Sequence, residues 1–347
     1  MTDPMTRREG GGALPPVPIR ALSALAALVL AGCASFGVPG SAPTAPEAPR
    51  ADATAPPEAR DLTPPAGADE PSLLQFYANV ESDLTASGRM RLETAPADAP
   101  YSIDDLIRDF ERVALYDEYV DVGGRFVRAE TPALLRRWDQ PVRVGVMSSG
   151  AMPAGEAAQD RGNVAAFTQR LARLTKADMA MSDGPGVNFL VLFMSSAERE
   201  AFADQVSARY PSFAPAVMNA LRDTPLDIFC TTYAFGTPGD ASKYSAVMIL
   251  IRAEHPPLTR LSCVHEEMAQ AMGLPNDSPD ARPSLFNNSV EFALLTEHDE
   301  ILLRMLYDPR LRPGMTAAEV RPLLPAIARD AVAAERADGA QVALAEN

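Results

Sequence analysis

From residue 102 onward, apolar residues recur at two periods, and each period marks an element. Ile103, Leu106, Ile107, Phe110 and Val113 share one face at helical spacing behind Ser102-x-x-Asp105, a variant of the capping box. Residues 119–129 are strand-like, and Val142, Val144 and Val146 alternate as a strand does. A helix is expected over about 156–175, with Val164, Phe167, Leu171 and Leu174 turned inward. Val187 to Met194 is apolar almost throughout, the pattern of a central strand buried on both faces. Ser195-x-x-Glu198 then caps a helix that buries Phe202 and Val206. Ile228–Phe235 and Tyr244–Ile251 are two further strands, joined by the turn-rich Gly236-Thr237-Pro238-Gly239-Asp240. After Pro256-Pro257 a helix is expected over about 258–273. Thr296-x-x-Asp299 opens a helix running to Tyr307, and Thr316-x-x-Glu319 opens a last helical region interrupted by Pro322 and Pro325. The order predicts an α+β fold with one mixed sheet and several helices.

The first 75 residues break the pattern. Residues 33–75 are rich in Pro, Ala, Ser, Thr and acidic residues and nearly lack large apolar groups, so they cannot bury enough surface to offset their ordering entropy. A flexible tether is expected there, with folded structure starting near Ser72. Upstream, Arg7, Arg8 and Arg20 flank an apolar run from Ala21 to Ala31, too short to span a bilayer as a permanent helix. The run ends in Leu30-Ala31-Gly32-Cys33, which resembles a bacterial lipobox. That resemblance implies a signal peptide over 1–32 and a lipidated Cys33 that anchors the chain in a membrane through several acyl chains. The alternative is an ordinary signal peptide with a chance cysteine. Ala34 and Ser35 follow, with no aspartate, which favours the outer over the inner membrane; the chain is expected to face the periplasm. The remaining expectations are an α+β extension over 76–140, the main domain over 141–335 and a flexible tail over 336–347.

Charge and cysteine content narrow the function classes. A net charge of −15 repels nucleic-acid phosphates, so nucleic acid is not an expected partner. Cys230 and Cys263 remain besides Cys33, and two cysteines in an oxidising envelope compartment are expected to pair; two buried free thiols are the alternative.

The densest chemistry lies between 263 and 307. On a helical wheel Leu261, Val264, Met268, Ala271 and Met272 fall on one face, while Glu266 and Gln270 fall on the opposite face with Glu267 and Cys263 beside them. Gly273 permits the left-handed turn that ends the helix. His265 lies at the edge of the apolar face, and His-Glu-x-x-Ala from His265 lacks a second ligand. With Gly273 placed at the glycine of the zinc-protease pattern His-Glu-x-x-His-x-x-Gly, this stretch resembles a metzincin active-site helix with its ligands exchanged. Glu266 and Gln270 stand at the two histidine positions, Glu267 at the general base and Asn276 at the third ligand. Ser284-Leu285-Phe286 resembles the methionine turn, with Phe286 at the methionine position. Thr296-x-x-Asp299-x-x-x-Leu303-x-x-Leu306-Tyr307 is similar to the C-terminal helix of matrixin-type metzincins. The order Cys263-x-x-Glu266-Glu267-x-x-Gln270-x-x-Gly273-Leu274-x-Asn276-Asp277, followed by Ser284-x-Phe286-Asn287, Leu295-Thr296-x-x-Asp299 and Leu306 to Leu311, is similar to a family of bacterial lipoproteins carrying domain of unknown function 2927. These resemblances imply an envelope protein with a zincin-like domain lacking the zinc-binding histidines.

The donor set argues against zinc, which prefers imidazole and thiolate; Glu266, Gln270, Asn276 and Asp277, with Asn287 and Glu291 near them, suit a hard divalent cation such as calcium or magnesium. The adjacent carboxylate pair of Glu266 and Glu267 can instead raise one pKa and act as an acid or base, with Glu267 the candidate catalytic residue. The plainer alternative is a polar helix face satisfied by the loops at 276–291. His255 and His298 are expected at the surface, and Tyr307 at the close of its helix or facing the cleft. The expected function is binding of a peptide or envelope protein in a degenerate protease cleft, with a hydrolase using Glu267 as the alternative.

Overall fold

The computed structural model describes residues 70–211 and 213–345. The expected signal peptide, Cys33 and nearly all of the expected tether lie outside the described residues. The chain is a mixed α+β protein built on a mostly parallel five-stranded sheet. Helix α1 (Glu70–Ala86) and helix α2 (Ile103–Ala114) precede a two-stranded antiparallel hairpin, β1 (Tyr116–Asp121) and β2 (Phe126–Pro132). Strand β3 (Val142–Ser148) leads through helix α3 (Ala154–Thr175) to β4 (Met179–Met181) and β5 (Phe189–Met194). Helices α4 (Ser196–Arg209) and α5 (Pro215–Arg222) follow, then β6 (Cys230–Thr237) and β7 (Asp240–Arg252). Helices α6 (Pro257–Gln270), α7 (Glu297–Leu306), α8 (Ala317–Val320) and α9 (Leu324–Ala345) complete the chain, with one 3₁₀ turn between the last two.

The sheet order is β4-β3-β5-β7-β6; only β6 runs antiparallel, and it forms an edge. Period-2 alternation along the strands sends side chains to two cores. Phe189, Val191, Phe193, Val247, Ile249 and Ile251 face α2, α3, α6, α7 and α9. Leu190, Leu192, Met194, Met248 and Leu250 face α4 and α5. That double burial is why Val187–Met194 reads as an unbroken apolar run. The first core is continuous from Leu106 to Ala331.

All four expected caps form: Ser102 with Asp105, Ser195 with Glu198, Thr296 with Asp299 and Thr316 with Glu319 each satisfy orphan backbone N–H groups reciprocally. The ends of the chain correct the expected boundaries. Helix α1 begins five residues before the expected end of the tether and packs Leu73, Tyr77 and Val80 inward. The expected tail from 336 continues α9 as helical backbone to Ala345, in line with the high helix propensity of its alanines. Among the described residues no helix is long and apolar enough to cross a membrane.

Candidate functional site

Helix α6 carries the site because its two faces differ. Val264, Met268 and Ala269 are buried in the core, while Glu266 and Gln270, one turn apart, reach a cleft of about 1030 Å³. The helix ends at Gln270, short of the expected 273, and the chain then turns through Gly273: its φ is +123°, and a Cβ there would lie 2.1 Å from the Arg136 carbonyl oxygen, so no other residue fits without displacing backbone. The turn is then fixed from behind. Trp138 Nε1 donates to the Ala271 carbonyl at 2.9 Å, and the Tyr307 hydroxyl donates to the Met272 carbonyl at 3.0 Å. Tyr307 therefore holds the turn and does not line the cleft.

Edge strand β6 forms the facing wall, with Thr231, Thr232, Tyr233, Ala234 and Phe235 lining the cleft. The β1–β2 hairpin contributes Glu118, Tyr119, Phe126 and Arg128. The disulfide Cys230–Cys263 ties β6 to α6 and lines the same cleft.

Glu266, Glu267, Gln270 and Asp277 are brought together here. Thr232 Oγ1 lies 2.7 Å from Glu267 Oε2 and 3.0 Å from the Glu267 carbonyl oxygen, so its single proton is shared between two acceptors. Gln270 Nε2 donates to Asp277 Oδ1 at 3.2 Å. Among the described residues no ion pair or hydrogen bond reaches the Glu266 carboxyl. Burial, then the charges of Asp277, Glu267 and Glu118, pushes the Glu266 pKa well above its ordinary value. Burial raises Glu267 to about 8, with Asp277 and Glu118 adding to it and the Thr232 hydroxyl pulling back. Burial raises Asp277 to about 7; Glu118 adds to this, while Arg128 and Gln270 oppose it. Arg128 itself is paired with Glu118 at 2.6 Å. The result is a group of crowded acids in which Glu267 and Asp277 hold their protons toward neutrality.

Asn276 does not join them. Its Nδ2 donates to the Arg112 carbonyl at 2.9 Å and its backbone N–H to the Val113 carbonyl at 3.2 Å, so it satisfies the last carbonyls of α2. Those orphan acceptors, 164 residues away in sequence, decide its direction. Glu291 is likewise drawn off, to Arg91 and Arg282. Asn287 lines the cleft, but its amide donates to the Pro279 and Ala281 carbonyls. Among the described residues no three His, Cys, Asp or Glu side chains are gathered as a metal-holding group.

The histidines correct the sequence expectation of surface positions. His255 is 1% exposed; its Nε2 meets the Phe229 carbonyl at 3.0 Å, and its ring packs on Tyr77 of α1 and on Phe229. Burial lowers its pKa to about 3. His298 is fully buried, with Nε2 3.1 Å from Asp109 Oδ2 and Nδ1 3.4 Å from Asp299 Oδ1. Burial disfavours its charge, yet bonds to Asp109 and Asp299 win and raise it to about 9. Asp299 is itself held by Ser284, the Leu285 N–H and Thr296. His265 stacks on Phe167 with centroids 4.2 Å apart and accepts the Leu295 N–H at its Nδ1.

Sequence reasoning missed Thr232 and Glu118 as members of the acidic group. Alternation along β6 marks Thr232 as a facing position once β6 is known to border α6, but nothing local marks Glu118 on its separate hairpin.

Fold and site together define an α+β protein with a carboxyl-lined cleft between a helix and the antiparallel edge of its sheet. The chain belongs to the family described as "protein of unknown function (DUF2927)", whose model matches residues 104–326. No curated protein and no solved structure matches it.

Proposed function

We propose that the cleft binds an extended peptide segment of an envelope protein, laid along β6. The observation that carries this reading is an edge strand that, among the described residues, has a strand neighbour on one side only and forms the wall of a cleft of about 1030 Å³. Unpaired backbone along a sheet edge is the usual template for strand addition, in which main-chain hydrogen bonds supply affinity and side-chain pockets supply selectivity. Tyr119 and Phe126, both exposed, offer aromatic surface beside this wall, with Phe126 packed on the buried Tyr233 ring. A helix bearing polar residues beside an antiparallel edge strand supports the likeness to a zincin-type cleft, with Glu266 and Gln270 standing where zinc ligands would be. The oxygen and amide donors left there do not suit zinc.

The leader and Cys33 support a lipid-anchored protein facing the periplasm, most readily at the outer membrane. Incorporation of an alkyne-tagged fatty acid, lost in Cys33→Ala, tests the anchor.

A second reading, metal-free or hard-cation-assisted peptide hydrolysis, is favoured by one observation: the Glu267 carboxyl is held by Thr232 and raised to about 8, near the pH at which a general base works best. One experiment addresses both. Purified protein is screened against a synthetic peptide array, and the tightest peptide is titrated by fluorescence and followed by mass spectrometry. Saturable binding weakened at least tenfold by Phe126→Ala, with the peptide intact, supports the binding reading. Cleavage abolished by Glu267→Gln replaces it with the hydrolase. Absence of any saturable binding refutes both.

A further inference from the structure

Thr232 touches Glu267 where β6, laddered to β7 on its other side, runs beside α6, and the Cys230–Cys263 disulfide is a covalent link between β6 and α6 close to that contact. Cys230 is two residues before Thr232 on β6, and Cys263 is one helical turn before Glu267 on α6. The bond therefore closes a short ring: Cys230 to Thr232, across to Glu267, and back to Cys263. Two residues along a strand and one turn along a helix leave little slack in that ring. Cys263 is 2% exposed, whereas Cys230 is only partly buried, and both border the open cleft.

We propose that this disulfide is a redox latch on the cleft: its reduction by a dithiol of the thioredoxin class frees β6 from α6 and releases Thr232 from Glu267. A thiolate of the reductant attacks Sγ of Cys230, the S–S bond breaks, and its electron pair leaves on Sγ of Cys263, which takes up a proton. The second thiolate of the reductant then attacks the mixed disulfide, leaving on Cys230 a thiolate that is protonated in turn. The reductant is oxidised to its own disulfide, and two thiols are gained on the protein. The groups that face Glu267 and feel the release are Glu266 on its own helix, Thr232 and Tyr233 on β6, Asp277 on the loop after α6, and Glu118 and Arg128 on the hairpin. In its importance for the cleft this inference rests on the peptide-binding reading, but its test does not use a peptide.

The test is hydrogen–deuterium exchange by mass spectrometry on the full chain, oxidised and after a dithiol reductant, with Cys230→Ser/Cys263→Ser and Thr232→Val alongside. The expected result is at least tenfold faster exchange confined to 230–237 and 257–270 on reduction, reproduced without reductant by the double serine variant, while α3 and β3 stay protected. Water-soluble carbodiimide labelling of Glu267, mapped in the same samples, rises severalfold on reduction and in Thr232→Val. Unchanged exchange in β6 on reduction overturns the latch. Cooperative loss of protection throughout the domain also overturns it, because the bond is then a staple of the whole fold. Either failure leaves the peptide titration free to succeed.

Discussion

Two polar groups within one domain are built on opposite terms. Around His298 every charge has its counterpart: the imidazolium lies between Asp109 and Asp299, and Asp299 is held by a hydroxyl, a backbone N–H and a helix cap, all sealed from water. Around Glu267 the charges are alike. Burial raises the pKa of Glu266, Glu267 and Asp277; the Glu118 charge adds to all three, Asp277 adds to both glutamates and Glu267 adds to Glu266, with the Thr232 hydroxyl, the Gln270 amide and Arg128 in opposition, and the group borders an open cleft. The first arrangement gains its stability from matched partners. The second costs stability in the folded molecule and holds its protons beside an open cleft. Both are buried polar clusters, and the pairing of charge is what separates them.

Breaking the comparison should give effects of opposite sign. The largest is expected at the sealed group. His298→Ala leaves Asp299 buried without its counter-charge and Asp109 with Arg108 alone, and should lower unfolding free energy by about 3–5 kcal/mol in chemical denaturation. Because the folded-state pKa of His298 is raised above its ordinary value, its contribution is complete below about pH 6.5 and is lost as pH rises through about 9. The variant should therefore differ most from the parent at acidic to neutral pH.

Glu267→Gln should do the reverse. The folded-state pKa is raised, so between about 4.5 and 8 the folded chain holds a proton that the unfolded chain has lost, and stability falls as pH climbs through that window. Gln keeps an oxygen to accept the Thr232 hydroxyl and cannot ionise. A gain of about 2 kcal/mol at pH 8, with none at pH 4, is the expected outcome of thermal unfolding; a loss at pH 8 would place Glu267 with the matched group. The smallest effect belongs to Asn276→Ala, which strips a cap from the end of α2 and should cost about 1–2 kcal/mol with no change in pH dependence. A marked change in the pH profile would return Asn276 to the cleft.

The sequence made some of this plain and hid the rest for physical reasons. Signals that act within four residues were legible: the four capping boxes, the faces of α6 and the glycine of the turn after it. The alternation of β3 and the apolar run of β5 named the sheet but not its order, which depends on pairings across dozens of residues. Helix α5 and strand β4 were missed because they are short and lack strong periodicity. Helix α1 was partly missed because its first turns share the composition of the preceding stretch. The histidines were misplaced because their partners, Asp109 for His298 and Tyr77 for His255, lie far away in sequence and on elements whose docking no local rule reveals. Asn276 was misplaced through analogy: its slot in a borrowed motif suggested a ligand, while the unfilled carbonyls of α2 turned it elsewhere.

The account depends on the acids of the cleft titrating as one proton-retaining group. Carbon-detected NMR titration of side-chain carboxyls from pH 3 to 10 reads this directly. Glu267 should titrate near 8 and Asp277 near 7, with Glu266 well above the usual carboxylate range. Three ordinary midpoints between about 4 and 5 would contradict it.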